Sequence, residues 1–133
     1  MILVDTNVIL DVVENDPTWA DWSQQALEVA SLREPLCINP IIYAELSMAF
    51  ARIEELDAVL IESGLAVEQF PREALFLAGK AFLRDRERKG TKTNVLPDFL
   101  IGAHAAVARH TILTRDVGRY RSYFPTVDLI TPR

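Results

Sequence analysis

The chain has 133 residues, half of them hydrophobic and a quarter charged, so we expect a single domain over residues 1–133 that buries its own core. This composition excludes a disordered or collagen-like chain. No apolar run approaches the ~18 residues that a membrane span needs. No basic segment precedes the first apolar stretch, so we expect no signal peptide and predict a cytoplasmic location.

The formal net charge is −5, which by itself counts against nucleic-acid binding, because phosphate contacts require Lys and Arg. The charges are unevenly divided, however. Residues 1–70 carry 2 basic and 13 acidic side chains, whereas residues 71–133 carry 12 basic and 6 acidic ones. A basic half can attract a polyanion in spite of the net charge, although solvated helix faces of opposite sign explain the same division.

Five short apolar runs predict β-strands that are buried on both faces of a parallel sheet. They cover residues 2–4, 36–39, 65–67, 111–114 and 127–130. Helical patterns fill the gaps, over residues 6–14, from Pro17 onward, and over 40–51, 54–63, 72–89 and 98–109. This alternation predicts a three-layer α/β domain, in which helices flank a mainly parallel sheet of about five strands.

Four carboxylates occupy positions where such a fold forms ligand sites. Asp5 and Asp116 follow the first and fourth strands, and ligands of open parallel sheets bind beyond the carboxyl ends of the strands. Glu45 interrupts the apolar stripe of the third helix, and Asp98 opens the last helix. Each also has a purely structural explanation: Asp5 and Asp98 as helix caps, Asp116 as a turn residue, and Glu45 as half of an exposed ion pair.

Taken together, the four acids predict a metal site. Two carboxylates ~5 Å apart repel each other by roughly 3 kcal/mol at an effective dielectric constant of about 20, so four acids in one place need a cation to stay ionised. Mg²⁺ and Mn²⁺ are hard ions that prefer oxygen ligands. Such an ion can activate water and neutralise charge on a phosphodiester under attack.

The segments around these acids resemble the motifs of PIN-domain nucleases. Residues 2–7 are similar to the opening of the family, residues 42–46 to its second acidic motif, and residues 98–105 to its third. Residues 112–116, with the later residues 123–125 and Pro132, resemble its fourth motif and tail. The likeness spans essentially the whole chain. One departure follows the fourth motif, where many relatives soon carry another acid or Asn and this chain has Val117, Gly118 and Arg119 instead. It leaves the number of bound metals open.

The resemblance extends to the VapC-type toxins of VapBC toxin–antitoxin pairs, and it implies an endoribonuclease that cuts structured RNA such as tRNA or ribosomal RNA. It implies catalytic and metal-binding roles, around one or two Mg²⁺ or Mn²⁺ ions, for Asp5, Glu45, Asp98 and Asp116. It implies supporting polar roles for Thr6, Asn7 and Thr114. It also implies a homodimer and a small VapB-type antitoxin that blocks the acidic site.

Basic residues near these motifs are candidates for RNA contact. Those in the charged run before the third motif are Arg86, Arg88, Lys89 and Lys92, and Arg115 is the best candidate beside the fourth acid, where Arg119 and Arg121 also lie. RNA phosphates would bind such side chains. A solvated helix end accounts for the charged run equally well, because basic residues suit the helix dipole there.

Soft metal ligands are scarce in the sequence. Cys37 is the only cysteine and lies in an apolar run, which predicts a buried core thiol. No Cys or His stands near His104 or His110 in the sequence to complete a zinc set. We therefore expect neither histidine to bind a metal.

Two other functions fit the same residues. Asp5 at a strand end could be the nucleophile of a phosphatase or phosphotransferase, although position 7 is Asn where such enzymes commonly carry a second Asp. A non-catalytic binding module could keep the acidic cleft only to hold a basic partner segment.

Overall fold

Five strands form a parallel sheet at the centre of the computed structural model, which describes residues 1–88 and 95–132. The strands are β1 (Ile2–Val4), β2 (Leu36–Ile38), β3 (Leu65–Val67), β4 (Thr111–Leu113) and β5 (Leu129–Ile130). Their spatial order is β3-β2-β1-β4-β5, and every neighbouring pair is parallel. All five predicted strands are present, which confirms the predicted α/β fold class.

Six α-helices lie within the described ranges: α1 (Thr6–Val13), α2 (Ala20–Arg33), α3 (Pro40–Ser47), α4 (Ile53–Glu62), α5 (Arg72–Glu87) and α6 (Leu96–Ala108). The chain leaves β1 toward β2 and β3 and then returns to the other side of β1 at β4. Right-handed crossovers therefore place the helices of its two halves on opposite faces of the sheet, which gives the predicted three layers. None of the described helices is long and apolar enough to cross a membrane.

Helix boundaries differ from the predicted ones where side chains cap the chain. Helix α2 begins at Ala20 rather than near Pro17, because the Asp16 carboxylate accepts hydrogen bonds from two successive backbone N–H groups and holds a turn there. Helix α6 begins two residues before Asp98, whose carboxylate accepts the Val95 N–H at 2.9 Å. The predicted end of α5 at Gly90 lies outside the described residues.

A fully buried polar residue follows each of the three inner strands. Asp5 follows β1, Asn39 follows β2 and Thr114 follows β4, and each is 0% exposed. The strands themselves are apolar and their central residues are completely buried, so these polar groups mark the edge where the core ends. Because a buried polar group without a partner is costly, each of them must be hydrogen-bonded at this edge.

Candidate active site

The strand order reverses at β1, and this reversal positions the candidate site. In open parallel sheets a crevice forms at such a point, outside the carboxyl ends of the two strands that diverge. Here those strands are β1 and β4, which end at Val4 and Leu113 in the same register. Asp5 and Thr114 therefore lie side by side at the crevice.

Asp5 is held by hydrogen bonds to both of its carboxylate oxygens. Its Oδ1 accepts the Thr6 N–H at 2.8 Å, so Asp5 caps helix α1. Its Oδ2 accepts the Thr114 hydroxyl and the Tyr120 hydroxyl, each at 2.8 Å. Burial, with the Asp5 charge, raises the pKa of Tyr120 well above its usual value, so this phenol stays neutral and donates. Asp5 therefore caps α1 with one oxygen and contacts Thr114 and Tyr120 with the other.

The guanidinium of Arg119 joins three of the four predicted acids. Its Nη1 lies 2.7 Å from Asp5 Oδ1, its Nη2 lies 3.1 Å from Glu45 Oε2, and its Nε donates to Asp98 Oδ1. Glu45 Oε1 also accepts the Thr6 hydroxyl at 2.5 Å, which ties α3 to the start of α1. We call Asp5, Glu45, Asp98 and Arg119 the acidic cluster.

The charge of the acidic cluster suits a divalent cation. Burial acts to lower the pKa of Arg119, but the neighbouring charges, Asp5 first, outweigh it and raise that pKa above its usual value. Within residues 1–88 and 95–132, one guanidinium forms ion pairs with three carboxyl groups, so acidic groups outnumber basic ones in these contacts. The donors are carboxylate oxygens, which Mg²⁺ and Mn²⁺ prefer. The residues therefore fit such an ion, with Arg119 occupying part of the space between the acids.

Asp116 is the predicted acid that the fold does not gather with the others. Its side chain is exposed, and its backbone N–H donates to the Thr114 hydroxyl at 3.0 Å. Asp116 precedes a 3₁₀ turn over Val117–Arg119, which carries Arg119 back into the acidic cluster. A metal-binding role for Asp116 stays a prediction.

The predicted supporting residues surround Asp5. Besides the bonds of Thr6 and Thr114, the Asn7 amide donates to Asp5 Oδ2 and to the Thr114 hydroxyl, at 3.4 Å each. The side-chain Oδ1 of Asn7 accepts the backbone N–H of Arg115, also at 3.4 Å. These long bonds are weaker than those of Thr114 and Tyr120, so Asn7 contributes less to fixing the carboxylate.

Arg115, a predicted RNA contact, is engaged within the protein. It forms two bonds to the Asp11 carboxylate, at 2.7 and 2.9 Å, and its guanidinium lies 5.3 Å from the ring centroid of Trp19. Asp11 is 3% exposed and also accepts the Ser23 hydroxyl at 2.7 Å. The hydrogen bond to Asp11 raises the pKa of Arg115. This arrangement ties α1 and α2 to the segment after β4, and the RNA contact stays a prediction.

The other predicted RNA-binding residues lie at the end of α5 and beyond it. Arg86 and Arg88 are exposed, and their guanidinium carbons lie 5.6 and 5.4 Å from the centroids of aromatic rings. Lys89 and Lys92 lie outside the described residues. RNA contact by this group stays a prediction as well.

Two residues of the site were not predicted to take part in it. The sequence predicts no role for Tyr120, and it indicates Arg119 only as a basic neighbour of the fourth acid. The signal available for Arg119 is its place in residues 117–119, the run that departs from the family pattern after the fourth motif. A hydrogen-bonded Tyr beside it has no comparable sequence signal.

The two histidines, which the sequence does not predict to bind a metal, lie close together in the fold. The rings of His104 and His110 lie 5.5 Å apart, and both contact Glu68. Cys37 is buried as predicted, and burial, with the Glu68 charge, raises its pKa to about 12. A thiol that is protonated at neutral pH is not a nucleophile.

Comparison with known proteins finds solved structures of the same fold. A toxin–antitoxin complex from Klebsiella pneumoniae is 22% identical, with a TM-score of 0.70 over 100% of this chain and 98% of that one. VapBC2 from Rickettsia felis, bound to a promoter DNA fragment, is 23% identical, with a TM-score of 0.73 over 98% of both chains. VapBC-1 from nontypeable Haemophilus influenzae is 18% identical, with a TM-score of 0.71 over 98% of both. These likenesses establish a common fold.

A search of curated proteins gives no match. The family model described as the PIN domain matches residues 2–123, which include the four segments around the predicted acids, the acidic cluster and the four strands β1 to β4. The sequence motifs, the strand order and this match agree with one another, and the chain belongs to the PIN-domain family.

Proposed function

We propose that residues 1–133 act as a single-domain, metal-dependent endoribonuclease and as the toxin of a VapBC-type pair. The observation that carries this proposal is the meeting of Asp5, Glu45 and Asp98 at the carboxyl ends of β1 and β4. Capping a helix requires only one acid. Three acids from separate elements at one sheet edge therefore favour a role in binding a metal ion. Membership of the PIN-domain family supports the nuclease assignment.

Asp5, Glu45 and Asp98 would hold Mg²⁺ or Mn²⁺ between them. The ion would supply charge neutralisation at the scissile phosphate and a more acidic water. Asp5 would be the fixed ligand, because Thr114 and Tyr120 hold its carboxylate in one orientation. Glu45 is the most exposed of the three acids, with 25% of its side chain accessible, and we propose that its carboxylate accepts a proton from the attacking water.

The environment of Asp5 counts against the phosphatase alternative. A nucleophilic carboxylate needs an oxygen that is open to the substrate, whereas Asp5 is 0% exposed and both of its oxygens accept hydrogen bonds. We therefore place Asp5 as a ligand and not as a nucleophile.

We propose that the RNA backbone follows the basic end of α5 toward Asp98. Arg86 and Arg88 are exposed there, and Lys89 and Lys92 continue the charged run. Reversing the charges of Arg86 and Arg88 to Glu should weaken RNA binding uniformly across sequences and should flatten its salt dependence. Structured RNA such as tRNA or ribosomal RNA is the proposed substrate.

We propose that a small VapB-type antitoxin inhibits the enzyme by inserting a basic side chain into the acidic cluster. The solved structures compared above include toxin–antitoxin complexes. Arg119 supports the idea, because a guanidinium already makes three contacts with these carboxylates. Charge complementarity between a basic tail and an acidic cleft favours such a contact.

We also propose that the protein acts as a homodimer. Phe76 and Leu83 lie two helical turns apart on one face of α5 and are 70% and 52% exposed. Exposed apolar groups of this size are candidates for a protein interface. Light scattering should give the mass of a dimer for wild type and the mass of a monomer for Phe76→Glu. The same mass for both proteins would refute this surface.

The decisive experiment incubates the purified protein with total RNA and Mg²⁺ or Mn²⁺, and then maps new RNA ends. We expect cleavage by wild type and at least a ~100-fold loss with Asp5→Asn or Asp98→Asn, because each removes a charge from the ion's ligands. Asp21→Asn is the matched control, since Asp21 is an exposed acid of α2 away from the cluster. Circular dichroism should show that all variants are folded.

Two outcomes would refute parts of the proposal. Undiminished cleavage in excess chelator would refute the metal requirement. Failure to cut any RNA with Mn²⁺, together with tight binding of a basic antitoxin peptide, would indicate a non-catalytic binding module. Sequencing the neighbouring gene tests the toxin role separately from the nuclease role.

A further inference from the structure

The only cysteine and both histidines of the chain meet in one place. Cys37 lies in the middle of β2, His110 lies just before β4, and His104 lies in α6. All are buried, and Glu68, which follows β3, joins them from the more exposed side. We call these four residues the thiol–imidazole cluster.

The spacing within this cluster is that of a coordination site. The Cys37 sulfur, a carboxylate oxygen of Glu68 and a ring nitrogen of His110 all lie within 4.8 Å of one another. Among the described residues, no other group of three or more His, Cys, Asp or Glu side chains has its ligand atoms gathered so closely.

His110 carries a nitrogen that the protein leaves without a partner. Its Nε2 lies 2.5 Å from Glu68 Oε1, but its Nδ1 is buried and has no hydrogen-bond partner. No other buried side-chain nitrogen or oxygen in residues 1–88 and 95–132 is unpartnered in this way. Because such an atom is costly in a folded protein, it points to a ligand that the imidazole would bind.

His104 plays a different part, because Asn39 fixes its tautomer. The Asn39 Oδ1 accepts the Ile42 N–H at 3.0 Å, so its Nδ2 is the group that faces His104 Nδ1, at 3.1 Å. His104 Nδ1 therefore accepts, and its Nε2–H donates to Glu68 Oε1 at 3.1 Å. An imidazole that donates to a ligating carboxylate orients that ligand. His104 is thus a positioning residue for Glu68.

We propose that Cys37, Glu68 and His110 bind a zinc-type divalent ion, separate from the ion of the acidic cluster. Thiolate sulfur, imidazole nitrogen and carboxylate oxygen are the three ligand types that Zn²⁺ takes, and a water completes a tetrahedral set. Mg²⁺ and Mn²⁺ prefer oxygen donors alone and are directed to the acidic cluster. On binding, the Cys37 thiol releases its proton to solvent and the thiolate bonds to the ion.

The position of the three ligands gives the ion a structural role. They belong to β2, to the residue after β3 and to the residue before β4, which are far apart in the sequence. One ion would cross-link these segments beneath α6. Solvent reaches the site through Glu68, whose side chain is 34% exposed. Binding should therefore stabilise the folded protein, since the ion has no preformed site in the unfolded chain.

Co²⁺ is the probe that tests this proposal without any nuclease assay. The metal-free protein is titrated with Co²⁺ in the presence of excess Mg²⁺, which occupies the oxygen-only site. We expect a thiolate-to-cobalt charge-transfer band in the near ultraviolet, together with the strong visible bands of tetrahedral Co²⁺. Cys37 is the only thiol, so this band identifies its source. Adding Zn²⁺ should abolish both sets of bands.

Variants separate the ligands from the positioning residue. Cys37→Ser should abolish the charge-transfer band, His110→Gln should weaken Co²⁺ binding more than ~100-fold, and His104→Gln should weaken it by a smaller factor, of about 10. Asp98→Asn should leave the titration unchanged, because Asp98 belongs to the acidic cluster. Zn²⁺ should raise the melting temperature of wild type and of Asp98→Asn but not that of Cys37→Ser.

The proposal is overturned if wild type gives no charge-transfer band and no Zn²⁺-dependent rise in melting temperature. It is also overturned if Cys37→Ser, shown to be folded by circular dichroism, binds Co²⁺ as tightly as wild type does. His110→Gln tests the proposal independently if Cys37→Ser does not fold. None of these results depends on whether the protein cuts RNA.

Discussion

Replacing Arg119 by Gln should destabilise the metal-free protein and should strengthen the binding of a divalent ion to the acidic cluster. Arg119 neutralises part of the charge of Asp5, Glu45 and Asp98. Its removal leaves three mutually repelling carboxylates, of which Asp5 is fully buried. A divalent ion would then meet neither the competing guanidinium charge nor its bulk.

The magnitude follows from the contacts and the burial. At ~3 Å and an effective dielectric constant of about 20, each ion pair is worth roughly 5 kcal/mol before the cost of desolvation. Breaking a buried pair by removing one partner costs about 3–5 kcal/mol. Arg119 and Glu45 keep 14% and 25% of their side-chain surface exposed, which lowers the expected loss to about 2–4 kcal/mol. The melting temperature should fall by roughly 10 °C.

The assay combines thermal unfolding with calorimetric titration of Mn²⁺. We expect Arg119→Gln to melt below wild type in chelator and to gain more stability from saturating Mn²⁺. Its dissociation constant for Mn²⁺ should fall at least ~10-fold, which corresponds to ~1.4 kcal/mol. Arg121→Gln is the matched control, because Arg121 is exposed two residues away, and it should change neither quantity appreciably.

A weaker affinity for Mn²⁺ in Arg119→Gln than in wild type would refute this reasoning. It would mean that Arg119 organises the acids for the ion instead of competing with it. An unchanged melting temperature in chelator would refute the stability argument separately, because it would show that the three carboxylates tolerate each other without a cation.

Other consequences of the packing can be measured by chemical or thermal unfolding. Gly102→Ala should cost about 1–3 kcal/mol, because a Cβ there would overlap the ring of Phe124; an equal or higher stability would contradict this contact. Gly79→Ala, in an exposed position of α5 where a Cβ meets nothing within 4 Å, should instead stabilise by up to ~1 kcal/mol. Asp11→Ala should lower the free energy of unfolding by about 3 kcal/mol, since it leaves the Arg115 guanidinium without its carboxylate partner. If this ion pair is the cause, Arg115→Ala should lower it by nearly as much.

The sequence predicted the architecture because its evidence is local. Runs such as residues 2–4 and 36–38 are apolar at every position, which is typical of a strand covered on both faces. Helices between them then fix a parallel sheet and the hand of its crossovers. The same local pattern predicts that Asp5 lies at the carboxyl end of β1, because Asp5 directly follows the first apolar run. Gly64 ends α4 with a φ of +69°, as its position after the helical pattern indicates.

Where the sequence failed, the deciding contacts join distant residues. Arg119 reaches Asp5 across 114 positions of the chain and Glu45 across 74. No periodicity or capping rule carries information over such distances, so the sequence does not indicate that Arg119 enters the acidic cluster. Asp116 had a motif position equal to that of the other acids, yet its short turn leaves the side chain exposed.

The sequence by itself determined the order of strands and helices and the sheet edge at which Asp5, Glu45 and Asp98 gather, because hydrophobic pattern and strand-end position are written along the chain. Only the tertiary structure decided that Arg119 lies between those acids and that Cys37, Glu68 and His110 meet beneath α6. The physical reason is that the chain reverses direction in space between strands, so residues far apart in the sequence become neighbours through packing. Their spacing along the sequence does not indicate these contacts.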